Sequence, residues 1–344
     1  MAKFESINAA ALLLLAVPAL SGADDISVET LLRGLNNPCG VSIRPSESSE
    51  PFEIFVAESG AGRIIRITSG PEKPSAADVV TGFSVTELGD GGLPVGPIGL
   101  LFLDRRRLVV GVSNADSASV QLFELADDQA PLRPDSTKQE IKLKSARDIP
   151  NHVYAIARTR ANETVRDALV ITRFDNGQSG ELQSIGLRAD TLDEFAKFAE
   201  AVDSSKGSPA AISIGEGGYV VVGWVGSLAK PGDSRLAFYN PASGKLLMEL
   251  TTDLYDILGL AYSPRTGNLY AADAAWMDTK RGGVFRIDAA PAPGSSKCSV
   301  QKIADVLRPS ALAFGPDGAL YVTAFGNIEN EDSPGVLVKI TGNL

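Results

Sequence analysis

Histidine, cysteine and tryptophan are scarce in this chain of 344 residues, which holds one His, two Cys and two Trp. With His152 as its single histidine, the chain has no histidine cluster for a metal. A Gly-x-Ser-x-Gly nucleophile elbow is also missing, which argues against a Ser-His-Asp hydrolase. Cys39 and Cys298 lack any metal-ligand spacing, and the repeat register described below puts them on strands two blades apart, so two separate thiols are expected. Basic residues are outnumbered, 32 Lys and Arg against 42 Asp and Glu, for a net charge of −10. A surface of that sign repels phosphate, so a nucleic-acid partner is not expected. Long apolar runs are missing apart from residues 9–20, which are too few to span a bilayer. Lys3 before that run and Ser21-Gly22-Ala23 after it give the pattern of a secretory signal cleaved before Asp24. The expected mature chain is residues 24–344, exported to a periplasmic or extracellular space, with no cysteine at the cleavage point for a lipid anchor.

Turn formers are abundant, with 34 Gly and 20 Pro, and they punctuate a repeat. Its clearest copy is Pro309-Ser-Ala-Leu-Ala-Phe-Gly-Pro-Asp-Gly-Ala-Leu-Tyr-Val-Thr323: an apolar strand, a glycine-bearing turn, then a second apolar strand. Six segments align on the first strand, beginning at Asn37, Gly96, Asn151, Ser208, Asp256 and Arg308 and recurring about every 50–60 residues. Four of the six have proline second, and small residues follow in most copies, as suits strands crowding round an axis. A second and a third strand follow each first one. Fourth strands are legible near residues 78–81, 140–143, 246–250 and 300–304. Such a unit cannot bury its own faces, so the repeat predicts a closed all-β array, a six-bladed β-propeller forming one domain and a monomer.

Two blades break the pattern. The last has no residues left for a fourth strand, so the orphan strand at residues 27–32 is expected to complete it and close the ring. In blade three, Leu192, Phe195, Phe198, Ala199 and Val202 recur at helical spacing behind a Thr191/Glu194 capping pattern, which predicts a helical insertion over residues 191–202.

The copy at residues 309–323, with those at 259–273 and 37–62, resembles the NHL-type repeat and the repeat of gluconolactonase, regucalcin and strictosidine-synthase-like propellers. The resemblance implies the six-bladed fold over nearly the whole mature chain, and it spans enzymes, binders and scaffolds. The gluconolactonase likeness implies a divalent metal held at the channel mouth by a Glu, one or two Asn and an Asp. Asn151 and Asp256 stand at plausible positions and Asn114 can join them, but blade one begins Asn37-Pro38 where the Glu would stand. The run Leu-Asn-Asn-Pro-Cys-Gly-Val of blade one also resembles quinone-dependent sugar dehydrogenases, which would use a histidine base.

Because strand one runs down the axis and strand two runs back, the start of one and the end of the other share a face. Asn37, Gly96, Asn151, Ser208, Asp256 and Arg308 then form one ring there. Glu58, Asn114, Asp175, Trp224, Asp273 and Phe325 form a second. Their oxygen-bearing side chains suit a hard cation such as Ca²⁺, or equally cap strands and turns. Long loops over residues 225–234, 274–282 and 326–335 raise a rim that carries Trp276, either as a contact for a partner or as a lid. Two readings follow. One is a non-catalytic scaffold that binds a protein, carbohydrate or small molecule through Asn37, Trp224, Trp276 and Arg308. The other is a metal-dependent lactonase-type hydrolase, with Asn114, Asn151 and Asp256 as ligands and Asp273 or Glu58 as the base.

Overall fold

The computed structural model describes residues 26–70, 72–87, 92–113, 118–127, 129–143, 152–175, 179–188, 191–199, 207–227, 230–289, 295–326 and 334–344. The predicted leader, Asn114 and Asn151 lie outside the described residues.

Six four-stranded antiparallel sheets stand around a common axis as the blades of a propeller. The inner strands are Pro38–Ile43, Pro97–Phe102, His152–Thr159, Ser208–Ile214, Ile257–Tyr262 and Pro309–Phe314. Each aligned start position thus falls at or one residue before an inner strand. Every inner strand also slips register against its neighbour near its start, as between Pro38 and Val41 or Ile257 and Gly259. Each slip leaves one or two positions without a partner just after the first pairs, as at Cys39 and Gly40, Ala210 and Ser310. The small residues have a steric reason: a Cβ on Gly40 would lie 2.2 Å from the Ile98 carbonyl oxygen of the next blade.

The core is divided among the seams between blades. Phe55 and Val80 of blade one meet Leu108 and Phe123 of blade two, and equivalent apolar clusters fill the other five seams. Alternating apolar residues on both sheet faces supply them, since each blade is covered on both sides. A seventh cluster sits on the axis at the mouth.

The ring closes as expected. Ser27–Leu35 is the outermost strand of blade six, antiparallel to Gly335–Thr341. The last blade is therefore built from both ends of the described chain, and Leu35 is buried in the seam between blades six and one.

The helical insertion is corrected. Thr191–Lys197 is a β-strand paired with Ser179–Arg188, completing blade three with an ordinary fourth strand. Position 195 pairs with 185 and position 192 with 187, so three residues on one strand span two on the other. The spacing of three that imitates a helix is the extra residue of a β-bulge. Thr191 does not cap a helix; its hydroxyl donates to the Arg188 carbonyl at 3.1 Å. Among the described residues the only helical turns are the 3-10 turns Ser59–Ala61 and Pro134–Ser136, and no helix is long and apolar enough to cross a membrane.

Both cysteines are buried and unbridged. Burial pushes the thiol of Cys39 up to about 12 and that of Cys298 up to about 11.

Candidate functional site at the channel mouth

In blades one, four, five and six, strand register puts the start of the inner strand and the end of the second strand at one end of the propeller. Pro38 pairs with Glu58, Pro209 with Trp224, Ile257 with Asp273 and Pro309 with Ala324. Sharing an end does not give these side chains one role, and hydrogen bonding separates them.

Asp273 ends the second strand of blade five and is fully buried. Its carboxylate accepts the backbone N–H groups of Asp256 at 2.7 Å, Tyr255 at 3.1 Å and Ala275 at 3.2 Å. Burial raises its pKa, opposed by those three hydrogen bonds and by the charge of Lys302. The group ties the turn before the inner strand to the rim loop, and Ala275 holds a left-handed φ of 43° beside it. Glu58 is likewise engaged: its oxygens accept the Asn36 backbone N–H at 2.8 Å and the Arg63 Nε–H at 2.8 Å. Asn37 is buried with φ 51° and donates from Nδ2 to the Pro94 carbonyl, pinning Pro94–Val95, a short strand paired with Thr86–Glu87 between blades one and two, while its Oδ1 has no partner among the described residues. Trp224 turns into the seam between blades three and four and is 3% exposed, with the Arg235 guanidinium 5.8 Å from its ring. His152 opens the inner strand of blade three at the position proline takes in most copies, and is buried there.

Trp276 is folded down as a lid. Its ring stacks on Phe325 with centroids 5.2 Å apart and planes 26° apart, and the Arg308 guanidinium lies 5.9 Å from the indole. Beneath this pair, Cys39, Ile98, Ala210 and Leu258 from four inner strands fill the axis, with Tyr154 packed against them. Tyr154 crosses the axis and donates to the Ser310 carbonyl at 3.4 Å. Burial drives its pKa well up. The space left along the axis is about 80 Å³ and lined mainly by apolar inner-strand residues, well under the several hundred cubic ångströms of an ordinary ligand pocket. The axial channel is therefore closed at this end by side chains.

Asp256 stands between the lid and a second space. It is 4% exposed, and its Oδ2 accepts the Trp276 backbone N–H at 2.9 Å. Desolvation raises its pKa to about 7; the Trp276 N–H opposes this, and the charges of Asp273 and Asp233 add to it. On its outer side Asp256 borders a cavity of about 300 Å³ between the rim loops of blades four and five, shared with Ser227, Lys230, Tyr255, Asp278 and Arg281. Arg281 pairs with Asp278 at 3.4 Å, and Met277 beside them is 72% exposed. Lys230 and Tyr255 carry no repeat signal; Tyr255 is legible only as the neighbour of Asp256. A larger groove of about 710 Å³ lies at the opposite end, outside blades three and four, along Thr164, Arg166, Arg188 and Lys197.

Two of the three expected metal ligands, Asn114 and Asn151, lie outside the described residues, and the third, Asp256, already accepts the Trp276 N–H on one oxygen. Asp273 and Glu58 already hold backbone or arginine donors on their oxygens. Among the described residues no cluster of three or more His, Cys, Asp or Glu could hold an ion.

These features define a six-bladed β-propeller with a closed axis and a polar cavity on its rim. The sequence matches no protein-family model and no curated protein. Solved structures do match. The PQQ-bound aldose sugar dehydrogenase of Streptomyces coelicolor is similar with a TM-score of 0.61 and 13% identity, over 92% of this chain and 98% of that one. A gluconolactonase of Xanthomonas campestris gives 0.55 and 12%, over 93% and 90%. A putative gluconolactonase gives 0.53 and 13%, over 93% of each. At such identities the likeness is one of fold.

Proposed function

We propose that this chain is an exported, non-catalytic binding propeller whose ligand is a small hydroxylated molecule of the carbohydrate class, held in the rim cavity between blades four and five. The observation that carries the reading is the cavity itself. Its 300 Å³ is at the lower end of the range for ligand pockets, and it gathers a carboxyl, a phenol, a hydroxyl, an ammonium and a guanidinium. A carboxyl near its midpoint at neutral pH both donates to and accepts from hydroxyl groups. Asp273 and Glu58 are 0% and 2% exposed and held by fixed donors, out of reach of a substrate proton, which supports binding over hydrolysis. The sugar chemistry named for the solved structures of like fold agrees with the ligand class.

Isothermal titration with neutral monosaccharides, aldonates and uronates tests this. Saturable binding is expected for at least one of them, weakened tenfold or more in Lys230→Ala and in Asp256→Ala. Absence of binding across the panel overturns the reading. Lactone hydrolysis that requires Ca²⁺ or Zn²⁺ and stops with EDTA replaces it with the hydrolase, with Asn114 and Asn151 then the residues to test. Sugar oxidation on adding PQQ replaces it with a dehydrogenase.

A further inference from the structure

We propose that the rim cavity selects a monosaccharide bearing a carboxylate, an aldonate or a uronate, and that Lys230 and Arg281 make the selection. This names the ligand class of the site and rests on the binding function proposed above.

The two cations reach the cavity from different blades. Lys230 lies on the loop between Val220–Val225 and Arg235–Tyr239 of blade four, and Arg281 on the loop between Leu269–Asp273 and Gly283–Asp288 of blade five. Local hydrogen bonds fix the backbone under each. The Lys230 N–H donates to the Ser227 carbonyl at 2.9 Å, and the Ser227 N–H to Asp233 Oδ1 at 3.0 Å. In blade five the Asp278 N–H donates to the Ala275 carbonyl at 3.0 Å, and the Arg281 N–H to the Asp278 carbonyl at 2.9 Å. A ligand between the loops meets positive charge on both sides with little loop ordering left to be done.

The balance of donors and acceptors gives the direction. Among the described residues the Lys230 ammonium has no partner, so its donors are open. Arg281 approaches Asp278 through Nε at 3.4 Å, and both side chains are largely exposed, a pair that costs little to give up. The acceptors are already engaged: Asp278 faces Arg281, and Asp256 Oδ2 accepts the Trp276 N–H. The open donors of the cavity are therefore cationic. A neutral hydroxyl both donates and accepts and makes weak use of them. A carboxylate only accepts, and it matches the planar guanidinium fork. The carboxyls of Asp256 and Asp278 at the same cavity tell against the second negative charge of a phosphate. A volume of about 300 Å³ suits one sugar ring rather than an oligosaccharide.

Isothermal titration at pH 7 with glucose, gluconate, glucuronate and glucose 6-phosphate tests the selection. Gluconate or glucuronate is expected to bind at least about tenfold more tightly than glucose at low salt, and that preference to shrink at least about threefold in roughly 0.5 M NaCl. In Lys230→Gln and in Arg281→Gln the preference is expected to fall to about threefold or less, while Lys230→Arg keeps it. Where a variant binds nothing, the salt dependence of the wild type decides. Glucose binding as tightly as either acid overturns the selection and leaves the binding function standing, whereas binding of no sugar overturns the binding function itself. A preference that resists salt, or that survives in the double variant Lys230→Gln/Arg281→Gln, overturns the assignment to these cations. Tighter binding of glucose 6-phosphate than of either acid overturns the carboxylate.

Discussion

Asp256 and Asp273 are neighbouring carboxyls of one blade with opposite occupations. Asp273 closes three backbone N–H groups around itself. Removing it leaves three buried donors without an acceptor, each worth about 1–3 kcal/mol. Asp273→Ala is therefore expected to lower unfolding stability by about 3 kcal/mol or more, read as a lower urea midpoint at unchanged slope. Asp256 is held above the ordinary carboxylate range, so its sign is reversed relative to a salt-bridged aspartate. Below about pH 4 the group is protonated in both states and has no effect. As pH rises to about 7 the unfolded chain gives up the proton while the folded one keeps it, and stability falls. Above 7 the loss is complete. Asp256→Asn removes this slope, so thermal melting from pH 4 to 8 should show the variant gaining on the wild type up to pH 7 and then running parallel. Both carboxyls are legible in the sequence as mouth residues. Their difference is not, because it depends on which backbone N–H groups the turns at 254–256 and 274–276 aim at them. The lid has a similar history: an exposed or a folded Trp276 are equally compatible with the loop that carries it, and Phe325, from another blade, decides between them. Tyr154 has a fainter signal, a large residue where most inner strands carry small ones.

At the scale of the element, strand positions are readable because apolar alternation and turn formers coincide, and the closing strand is readable because blade six lacks a partner. The fourth strand of blade three is not, because a bulge places an extra residue between positions 192 and 195 and so copies the helical period. That strand has an unusual tether. The side-chain amide of Gln139, on the outer strand of blade two, donates to the Leu192 carbonyl at 2.6 Å and accepts the Leu192 N–H at 2.7 Å. One side chain thus makes both bonds that a further strand would supply at that residue. In Gln139→Ala, amide exchange at Leu192 is expected to speed by tenfold or more, about 1.4 kcal/mol of local opening, with little change in the global melting temperature. Equal destabilisation of every blade would show instead that the tether holds the whole ring.

For the molecule as a whole, the six seams are nearly equivalent, but the blades are not: blade six alone is shared between distant parts of the sequence. Deleting residues 26–35 exposes the edge of Gly335–Thr341 and empties the place of Leu35 in its seam. An uncovered apolar edge is a template for pairing with other chains. The deletion is expected to lower the melting temperature by several degrees and to give concentration-dependent aggregates by light scattering, and adding the peptide of residues 26–35 in trans should reverse part of both. A deletion protein that melts and disperses like the full chain would show that the ring does not need its closing strand.

The shared blade also imposes an order in time. The 9 residues of Ser27–Leu35 are made about 300 residues before their partner strand of 7 residues, Gly335–Thr341. Pairing at so large a sequence separation is slow to form. Until Gly335–Thr341 is made and in place, blades one to five can pack only as an open arc with an unshielded flank at each end. The finished ring therefore gains its protection in a single late event, and any interruption before residue 335 leaves a product with both flanks exposed.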